Sequence, residues 1–289
     1  MNDRVSMEFE MRLGLKANQF ALHYQPQLAG GRLTGAEALI RGNHPRRGFL
    51  GPGSFISLAE ETGLILPLGD WVLESACRQI AAWGKRERTN HLTVAVNISA
   101  RQLREPDFVN GVLSALDRTG ANPTRLKLEL TESMLVDNIE SVIAKMTEIK
   151  ANGIGLSLDD FGTGYSSLSY LKRLPLDQLK IDRSFVRDIV EDVSSRAIAQ
   201  SVISLGQVMN RSVIAEGVET EEQLDCLMGL GCHAFQGFLF GTPLPVEDFE
   251  LLIPVMGELF AGAQAAEVSE GMEGDVHGEG AAPFLGSRS

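Results

Sequence analysis

The sequence is poor in cysteine and in positive charge. Its three cysteines, Cys77, Cys226 and Cys232, have no CxxC spacing, so neither a disulfide framework nor a zinc knuckle is predicted. The chain has 26 Lys and Arg against 38 Asp and Glu, a net charge of −12. Because binding to a nucleic acid polymer depends on Lys and Arg that neutralise phosphates, this balance argues against such a partner.

Long apolar runs are also missing. No stretch approaches the roughly 18 residues of a membrane-spanning helix, and Met1–Ser6 lacks the apolar core of a secretory signal. We therefore expect a cytoplasmic protein without a membrane segment. The 289 residues, 44% of them hydrophobic, are enough to bury one large core. A (β/α)8 barrel commonly takes about 250 residues.

Strand and helix signals alternate along the chain, a pattern that predicts a parallel sheet. Two strands, Phe20–Tyr24 and Gly35–Leu39, precede helices over Ser54–Leu66 and Trp71–Trp83. The later predicted strands are Leu92–Ile98, Leu126–Leu130, Ile154–Leu158, Gln178–Ile181, Val213–Ala215 and Ala234–Phe238. The later predicted helices are Phe108–Leu116, Met134–Ala151, Ser167–Leu171, Phe185–Met209, one that begins at a capping box on Thr220, and Val246–Phe260.

Polar residues lie where these strands end. The adjacent acids Asp159 and Asp160 follow an apolar strand, and charge is costly in a core unless it serves a cation or a reaction. The other strand-end residues are Glu37, Asn97, Glu129, Asp182 and Glu216. In a (β/α)8 barrel the carboxyl ends of the strands converge on one face and form the active site.

Each acid taken alone has a simpler interpretation. Asp182 could cap the next helix, and Glu219 could be an exposed acid in a first helical turn. Brought together, the acids would repel one another unless cations lay between them. Oxygen ligands without His or Cys pairs favour Mg²⁺ or Mn²⁺, and Asp159 beside Asp160 suggests two metal ions about 3.5–4 Å apart on a phosphoryl group.

Seven segments together resemble the EAL domain, the cyclic di-GMP-specific phosphodiesterase of bacterial signalling. The segments are Glu37-Ala38-Leu39-Ile40-Arg41, Asn97-Ile98-Ser99, Glu129-Leu130-Thr131-Glu132-Ser133, Asp159-Asp160-Phe161-Gly162-Thr163-Gly164-Tyr165-Ser166-Ser167-Leu168, Lys180-Ile181-Asp182, Glu216-Gly217-Val218-Glu219-Thr220 and Gln236-Gly237-Phe238. The resemblance covers roughly Phe9 to Phe260 and implies a modified TIM barrel with one antiparallel strand. We expect a helical linker over residues 1–19, the barrel over 20–260 and a flexible acidic, Gly- and Ala-rich tail over 261–289.

The resemblance also implies a role for each motif residue. The first of two Mg²⁺ or Mn²⁺ ions would be held by Glu37, Asn97, Glu129 and Asp159, the second by Asp159 and Asp160, with Glu216 and Asp182 completing the shell. Lys180 would position the attacking water, and either Lys180 or Glu216 would be the general base. The implied substrate contacts are Gln25, Leu39, Arg41 and Gln236, and the implied loop anchors are Glu132, for the loop Phe161–Ser167, and Glu219.

The implied reaction is in-line attack of metal-activated water on cyclic di-GMP to give linear pGpG. Implied partners are a second copy of the barrel and an upstream sensory or diguanylate cyclase-like domain. The second is implied because Glu8–Gln19 resembles the linker that often joins an EAL domain to such an upstream domain. The chain departs from the family at Gly42, where a tryptophan commonly follows the arginine; the missing ring removes apolar packing beside Arg41.

Two alternatives remain. One is a receptor that binds cyclic di-GMP without cleaving it, although no expected metal ligand is missing. The other is a dinucleotide-binding oxidoreductase, because Gly162 and Gly164 follow a strand and Asp182 lies about twenty residues further on. Against it, Ser167 replaces the third small residue, and Asp159 and Asp160 would repel a pyrophosphate.

Overall fold

The computed structural model describes residues 3–135, 138–162 and 168–254. In this part of the chain nine strands form one sheet. They are β1 (Phe20–Ala29), β2 (Arg32–His44), β3 (Gly48–Leu50), β4 (Thr93–Asn97), β5 (Leu126–Thr131), β6 (Gly155–Phe161), β7 (Gln178–Ile181), β8 (Ser212–Ala215) and β9 (Ala234–Gln236).

Eight of these strands close into a barrel. The order is β1-β9-β8-β7-β6-β5-β4-β2, and β1 pairs back onto β2. Strand β1 runs antiparallel to both of its neighbours, whereas the pairs from β2 through β9 are parallel. Strand β3 lies outside the ring as a short hairpin partner of β2. The predicted modified TIM barrel with one antiparallel strand is confirmed.

Helices connect the strands. They are α1 (Asp3–Lys16), α2 (Ile56–Thr62), α3 (Ile65–Trp83), α4 (Ala100–Arg104), α5 (Phe108–Thr119), α6 (Ile139–Ala151), α7 (Leu168–Leu171), α8 (Arg183–Arg187), α9 (Val193–Val208), α10 (Glu221–Gly229) and α11 over 246–254. Short 3₁₀ turns lie at Pro52–Ser54, Pro123–Arg125 and Glu132–Leu135. No described helix is both long and apolar enough to cross a membrane.

Several helix boundaries differ from the prediction. The helix predicted from Met134 begins at Ile139, with Asn138 as its cap, and Met134 lies in the 3₁₀ turn Glu132–Leu135. The predicted break between Leu66 and Trp71 lies earlier, because Gly63 adopts a left-handed conformation with φ 80° that ends α2, and α3 then runs unbroken. The helix predicted from Phe185 is interrupted between α8 and α9. Asp192 causes the new start, since its side chain accepts hydrogen bonds from the backbone N–H groups of Ser194 and Ser195.

The two ends of the described chain pack differently. Helix α1 buries Met7 and Met11 in the hydrophobic core of the domain, and Glu10 on the same helix lies 2.9 Å from the imidazole of His44 on β2. Helix α11 places Phe249 against Trp83 and Tyr24. The division at residues 19 and 260 stays a prediction, and the tail over 261–289 lies outside the described residues.

Alternation along the strands gives the barrel a polar interior. On β5 the buried leucines Leu126, Leu128 and Leu130 alternate with Lys127 and Glu129. Because successive strand residues point to opposite faces, Lys127 and Glu129 share one face at two heights. The Lys127 ammonium donates to Gln178 on β7, whereas Glu129 meets Lys180 one layer higher. The upper layer therefore holds the candidate residues of a functional site.

Gly42 lies in an apolar environment. A Cβ added there would lie 3.5 Å from Leu50 and 3.7 Å from the rings of Phe20 and Phe55, which are ordinary contact distances. The two phenylalanines pack edge to face, with centroids 5.6 Å apart. Apolar side chains of this chain therefore surround Gly42.

We expect Gly42→Ala to raise the free energy of unfolding by about 0.5–1 kcal/mol, because alanine fits the space and restricts the unfolded strand. Gly237→Ala is the matched opposite, since its Cβ would lie 2.1 Å from the backbone oxygen of Val218. Urea denaturation measures both variants. A destabilised Gly42→Ala protein would contradict the packing described here.

Candidate active site

The barrel brings the strand-end residues to one mouth. Glu37 on β2, Asn97 on β4 and Glu129 on β5 lie at or near the carboxyl ends of the parallel pairings between adjacent strands. The prediction that Glu37 ends its strand is wrong, because β2 continues to His44. Asp159 and Asp160 lie at the end of β6, and Lys180 lies on β7. Asp182 and Glu216 come directly after β7 and β8. From the antiparallel strand β1, Gln25 enters the same layer because it pairs with Glu37.

Lys180 lies at the centre of the acids. Its ammonium is 2.6 Å from Glu129 Oε2 and 3.2 Å from Asp159 Oδ2, it contacts Glu216 Oε1, and Glu37 Oε2 lies at 4.0 Å. The side chain is 0% exposed. Burial alone would lower the pKa of Lys180, but the surrounding carboxylates raise it well above its ordinary value. Lys180 is therefore a buried cation that is held by the carboxylates around it.

One ammonium does not balance these carboxylates. Burial raises the pKa of Glu129 to about 7, reinforced by Glu37 and Asp159 and opposed by Lys180. The pKa of Glu216 is raised well above its ordinary value by burial and by the same neighbouring acids. Burial, Asp159 and Asp182 raise the pKa of Asp160. Excess negative charge is thus concentrated at the mouth.

Divalent cations fit this donor set by its chemistry. Glu129 Oε1 is buried and has no hydrogen-bond partner among the residues described. The acids supply only oxygen donors, the type that Mg²⁺ and Mn²⁺ prefer. Within 3–135, 138–162 and 168–254, no three carboxylate, imidazole or thiol groups enclose a single cation position. The Lys180 ammonium lies between the carboxylates instead.

Amide groups hold Glu37 in place. Asn97 Nδ2 donates to Glu37 Oε1 at 2.6 Å, and Gln236 Nε2 donates to Glu37 Oε2. Gln236 also donates to Gln25 Oε1 at 3.1 Å. The bond from Asn97 uses its amide nitrogen, so the carbonyl oxygen is left for a further ligand. The structure thus brings Glu37 and Asn97, which were predicted at strand ends, and Gln236, which the resemblance implied as a substrate contact, together with the acids.

Leu39 and Arg41 follow Glu37 on β2 and share its face of the strand. Arg41 is half-buried, and its guanidinium donates to the Ile40 carbonyl at 2.9 Å. Burial lowers the pKa of Arg41, while Glu37 acts in the opposite direction. Leu39 lines a cavity of about 520 Å³ that also touches Pro52, Ile56 and Asn97. A ligand with an apolar face therefore has room beside Asn97, at the edge of the mouth.

Asp182 and Glu219 show the local features that their simpler interpretations predict, a helix cap and an exposed acid. Asp182 Oδ1 accepts from the backbone N–H of Ser184 at 3.0 Å and caps α8, yet Asp182 also raises the pKa of Asp160 and so lies near it. Glu219 is exposed, and its backbone N–H donates to Gln223 in the capping box of α10. The metal role of Asp182 and the anchoring role of Glu219 stay predictions.

Glu132 makes the contact that loop anchoring requires. It is only 5% exposed, and Glu132 Oε2 accepts from the backbone N–H of Gly162 at 3.2 Å. Gly162 has a positive φ of 98° and follows the end of β6. The rest of the anchored loop, residues 163–167, lies outside the described residues, as does Gly164 of the alternative dinucleotide motif.

We expect Glu132→Ala to lower kcat by about 10²-fold without unfolding the barrel, because a displacement of about 1 Å at catalytic groups has an effect of that size. Glu132→Gln keeps an oxygen that can accept the hydrogen bond from Gly162, so it should lower kcat much less. Steady-state kinetics against Mg²⁺ concentration, with circular dichroism as the folding control, measure both. Equal kinetics in Glu132→Ala and wild type would reject the anchoring role.

Sequence reasoning missed Gln27. This residue is 3% exposed and its amide nitrogen donates to Gln236 Oε1 at 2.9 Å. The signal was present, since Gln27 lies two residues after Gln25 on the same strand and so shares its face. Its partner is 209 residues away, which no local pattern could indicate.

Comparisons with known proteins find related sequences. The family model of the EAL domain matches residues 9–243. The bifunctional diguanylate cyclase/cyclic di-GMP phosphodiesterase MucR of Pseudomonas aeruginosa is 43% identical over 250 residues, which are 85% of this chain and 36% of MucR. The cyclic di-GMP phosphodiesterase PdeR of Escherichia coli is 41% identical over 255 residues, 86% of this chain and 38% of PdeR.

Solved structures are similar as well. The PaMucR phosphodiesterase in complex with c-di-GMP superposes with a TM-score of 0.82 at 43% identity, covering 84% of this chain and 99% of that one. The EAL enzyme Bd1971, in a form with cAMP and cyclic di-GMP bound, gives a TM-score of 0.81 at 35% identity, covering 87% and 69%. The chain spans about a third of the length of the curated relatives it matches.

Proposed function

This chain belongs to the EAL domain family, and from that premise we propose that it is a phosphodiesterase that hydrolyses cyclic di-GMP to linear pGpG. The observation that carries the proposal is the cluster at the barrel mouth, where Glu37, Glu129, Asp159 and Glu216 surround Lys180. Cyclic di-GMP is the ligand named for the similar PaMucR structure. The proposal extends that ligand to this chain.

Two divalent cations, Mg²⁺ or Mn²⁺, are part of the proposal. The residues that would hold them are Glu37, Asn97, Glu129, Asp159, Asp160, Asp182 and Glu216. When bound, such ions supply charge that acidifies water and stabilises the anionic phosphoryl group. The unpaired Oε1 of Glu129 and the excess of carboxylates support this assignment.

The chain's own residues bind the substrate and manage its proton. Arg41 suits a phosphate, because a guanidinium offers paired donors to two oxygens. Gln25, Gln236 and Leu39 would contact the remainder of the ligand beside the acids. Lys180 and Glu216 touch each other, so we propose that this pair positions the attacking water and takes up its proton.

The decisive experiment is incubation of the folded protein with cyclic di-GMP and Mg²⁺ or Mn²⁺, with chromatography of the products. Formation of pGpG is the expected result. Unchanged substrate together with measurable binding would favour the alternative of a receptor that does not cleave its ligand. Circular dichroism checks that the protein is folded.

A thermal shift separates the proposed function from a dinucleotide-binding oxidoreductase. With Ca²⁺ in place of Mg²⁺, cyclic di-GMP at 100 times its dissociation constant should stabilise the fold by about 2.7 kcal/mol. For a barrel of this size that corresponds to a Tm increase of roughly 5–10 °C. NADH should leave Tm unchanged, and a shift with NADH alone would reverse the assignment.

The proposed partners are a second copy of the barrel and an upstream sensory or diguanylate cyclase-like domain. The name of the relative MucR, which couples both activities in one longer protein, supports the second. The cytoplasmic location stays a prediction. Size-exclusion chromatography with light scattering measures the oligomeric state of the isolated chain, and a monomer at every concentration would remove the dimer from the proposal.

A further inference from the structure

We propose that Gln27 is a positioning residue that acts through Gln236 to hold the Glu37 carboxylate in its working orientation. The inference deepens the proposed function and rests on it, because Glu37 matters through the cation and substrate that it would serve. Gln27 touches neither Glu37 nor any other acid by a described hydrogen bond. Its effect passes through the Gln236 side chain.

The four side chains form a buried chain of hydrogen bonds across the barrel. Gln27 and Gln236 are cross-strand partners on β1 and β9, and Gln25 and Glu37 are cross-strand partners on β1 and β2. All four are at most 8% exposed. Water therefore has little access to exchange for any of these bonds, and each polar atom depends on its protein partner.

The direction of each bond is fixed from both ends. The Gly241 carbonyl can only accept, so Gln25 directs its amide nitrogen there, at 3.2 Å, and its oxygen towards Gln236. The Glu37 carboxylate also only accepts. Gln236 must therefore direct its nitrogen to both acceptors, Gln25 Oε1 and Glu37 Oε2. Its oxygen then faces Gln27.

Gln27 completes the chain as a donor. With the Gln236 oxygen pointing at it, residue 27 must present an N–H, and the Gln27 amide nitrogen does so at 2.9 Å. If residue 27 were an acceptor, Gln236 would have to turn over to satisfy it. Its oxygen would then face the Glu37 carboxylate and the Gln25 oxygen, two acceptors that it cannot satisfy.

The test compares an apolar replacement with a replacement that reverses the hydrogen bond. Gln27→Met has a similar volume and removes the donor, so Gln236 loses one restraint. Gln27→Glu places an acceptor opposite the Gln236 oxygen and favours the turned amide. Loss of a partner that orients a metal ligand typically lowers metal affinity or activity by 10- to 100-fold. We therefore expect the Mn²⁺ dissociation constant to rise about 10-fold for Gln27→Met and about 100-fold for Gln27→Glu.

The primary readout is the Mn²⁺ dissociation constant of each protein, measured without substrate by electron paramagnetic resonance of free Mn²⁺. The kcat and KM for cyclic di-GMP follow, and Tm reports folding. Gln207→Met and Gln207→Glu on the exposed face of α9 are the matched controls, since they make the same chemical changes away from the mouth. Both controls should bind Mn²⁺ as the wild type does.

Weaker Mn²⁺ binding in the order wild type, Gln27→Met, Gln27→Glu supports the inference. If Gln27→Glu does not fold, the Gln27→Met result decides alone. A lowered Tm with an unchanged Mn²⁺ dissociation constant in Gln27→Met would assign Gln27 a structural role only and overturn the inference. Failure of the wild type to bind Mn²⁺ and to hydrolyse cyclic di-GMP would instead overturn the proposed function.

Discussion

Lys180→Met should lower kcat by about 10²–10⁴-fold, the range typical of a group that transfers or positions a reacting proton. It should also lower Tm when no divalent cation is present. The reason is that Glu129, Asp159 and Glu216 would then face one another without the ammonium that contacts all three. Removal of one partner of a buried ion pair costs about 3–5 kcal/mol.

The two effects should separate when Mg²⁺ is added. Cations can replace the missing positive charge among the carboxylates, so Tm should recover towards that of the wild type, whereas kcat should not. Differential scanning fluorimetry with and without Mg²⁺, beside steady-state kinetics, measures both. Lys85→Met is the control for loss of an exposed ammonium. Normal turnover in Lys180→Met would exclude the lysine from the chemistry.

The position of the site could be predicted because its residues depart from the rule that charged side chains are rarely buried. Charged residues such as Glu129 and Asp159 rarely follow apolar strands directly, so their repetition at strand ends indicated a barrel mouth. The central position of Lys180 could not be predicted that way. It depends on the register of β7 against β6, where Ser157 pairs with Gln178, and on the side chains that this register brings together.

The interior beneath the site was also outside the reach of sequence reasoning. Lys127 on β5 reads as an ordinary exposed strand residue, yet its ammonium donates to Gln178 at 2.9 Å, and the Ser157 hydroxyl donates to the same oxygen at 3.4 Å. Burial lowers the pKa of Lys127. Only the closure of the barrel by β1 and β2 makes this face an interior.

The predicted helix boundaries near Gly63 and Asp192 were wrong for a different physical reason. Apolar periodicity continues through both Gly63 and Asp192, so the period gave no sign of a break. The breaks come from single residues, one that favours a left-handed backbone and one that caps a new helix. Local backbone chemistry thus overrode a pattern that spans several turns.

Asp160→Asn should lower kcat by roughly 10³-fold, equivalent to about 4 kcal/mol of transition-state stabilisation, while cyclic di-GMP affinity measured with Ca²⁺ changes far less. Asp160 is proposed to hold only the second cation, whose charge counts most in the transition state. The substitution suits the backbone, because Asp160 has a φ of 55° and asparagine tolerates that left-handed conformation. Its backbone N–H can still donate to Asp159 Oδ1, as it does at 2.8 Å.

Comparison with Asp160→Ala distinguishes lost charge from backbone strain. Alanine in the left-handed region costs about 1–2 kcal/mol, so Asp160→Ala should lower Tm as well as kcat, whereas Asp160→Asn should lower kcat alone. Asp117→Asn on the exposed face of α5 controls for the loss of one carboxylate. If Asp160→Asn turns over cyclic di-GMP at nearly the wild-type rate, the second cation does not depend on this carboxylate, and the assignment of two metal ions at the barrel mouth fails.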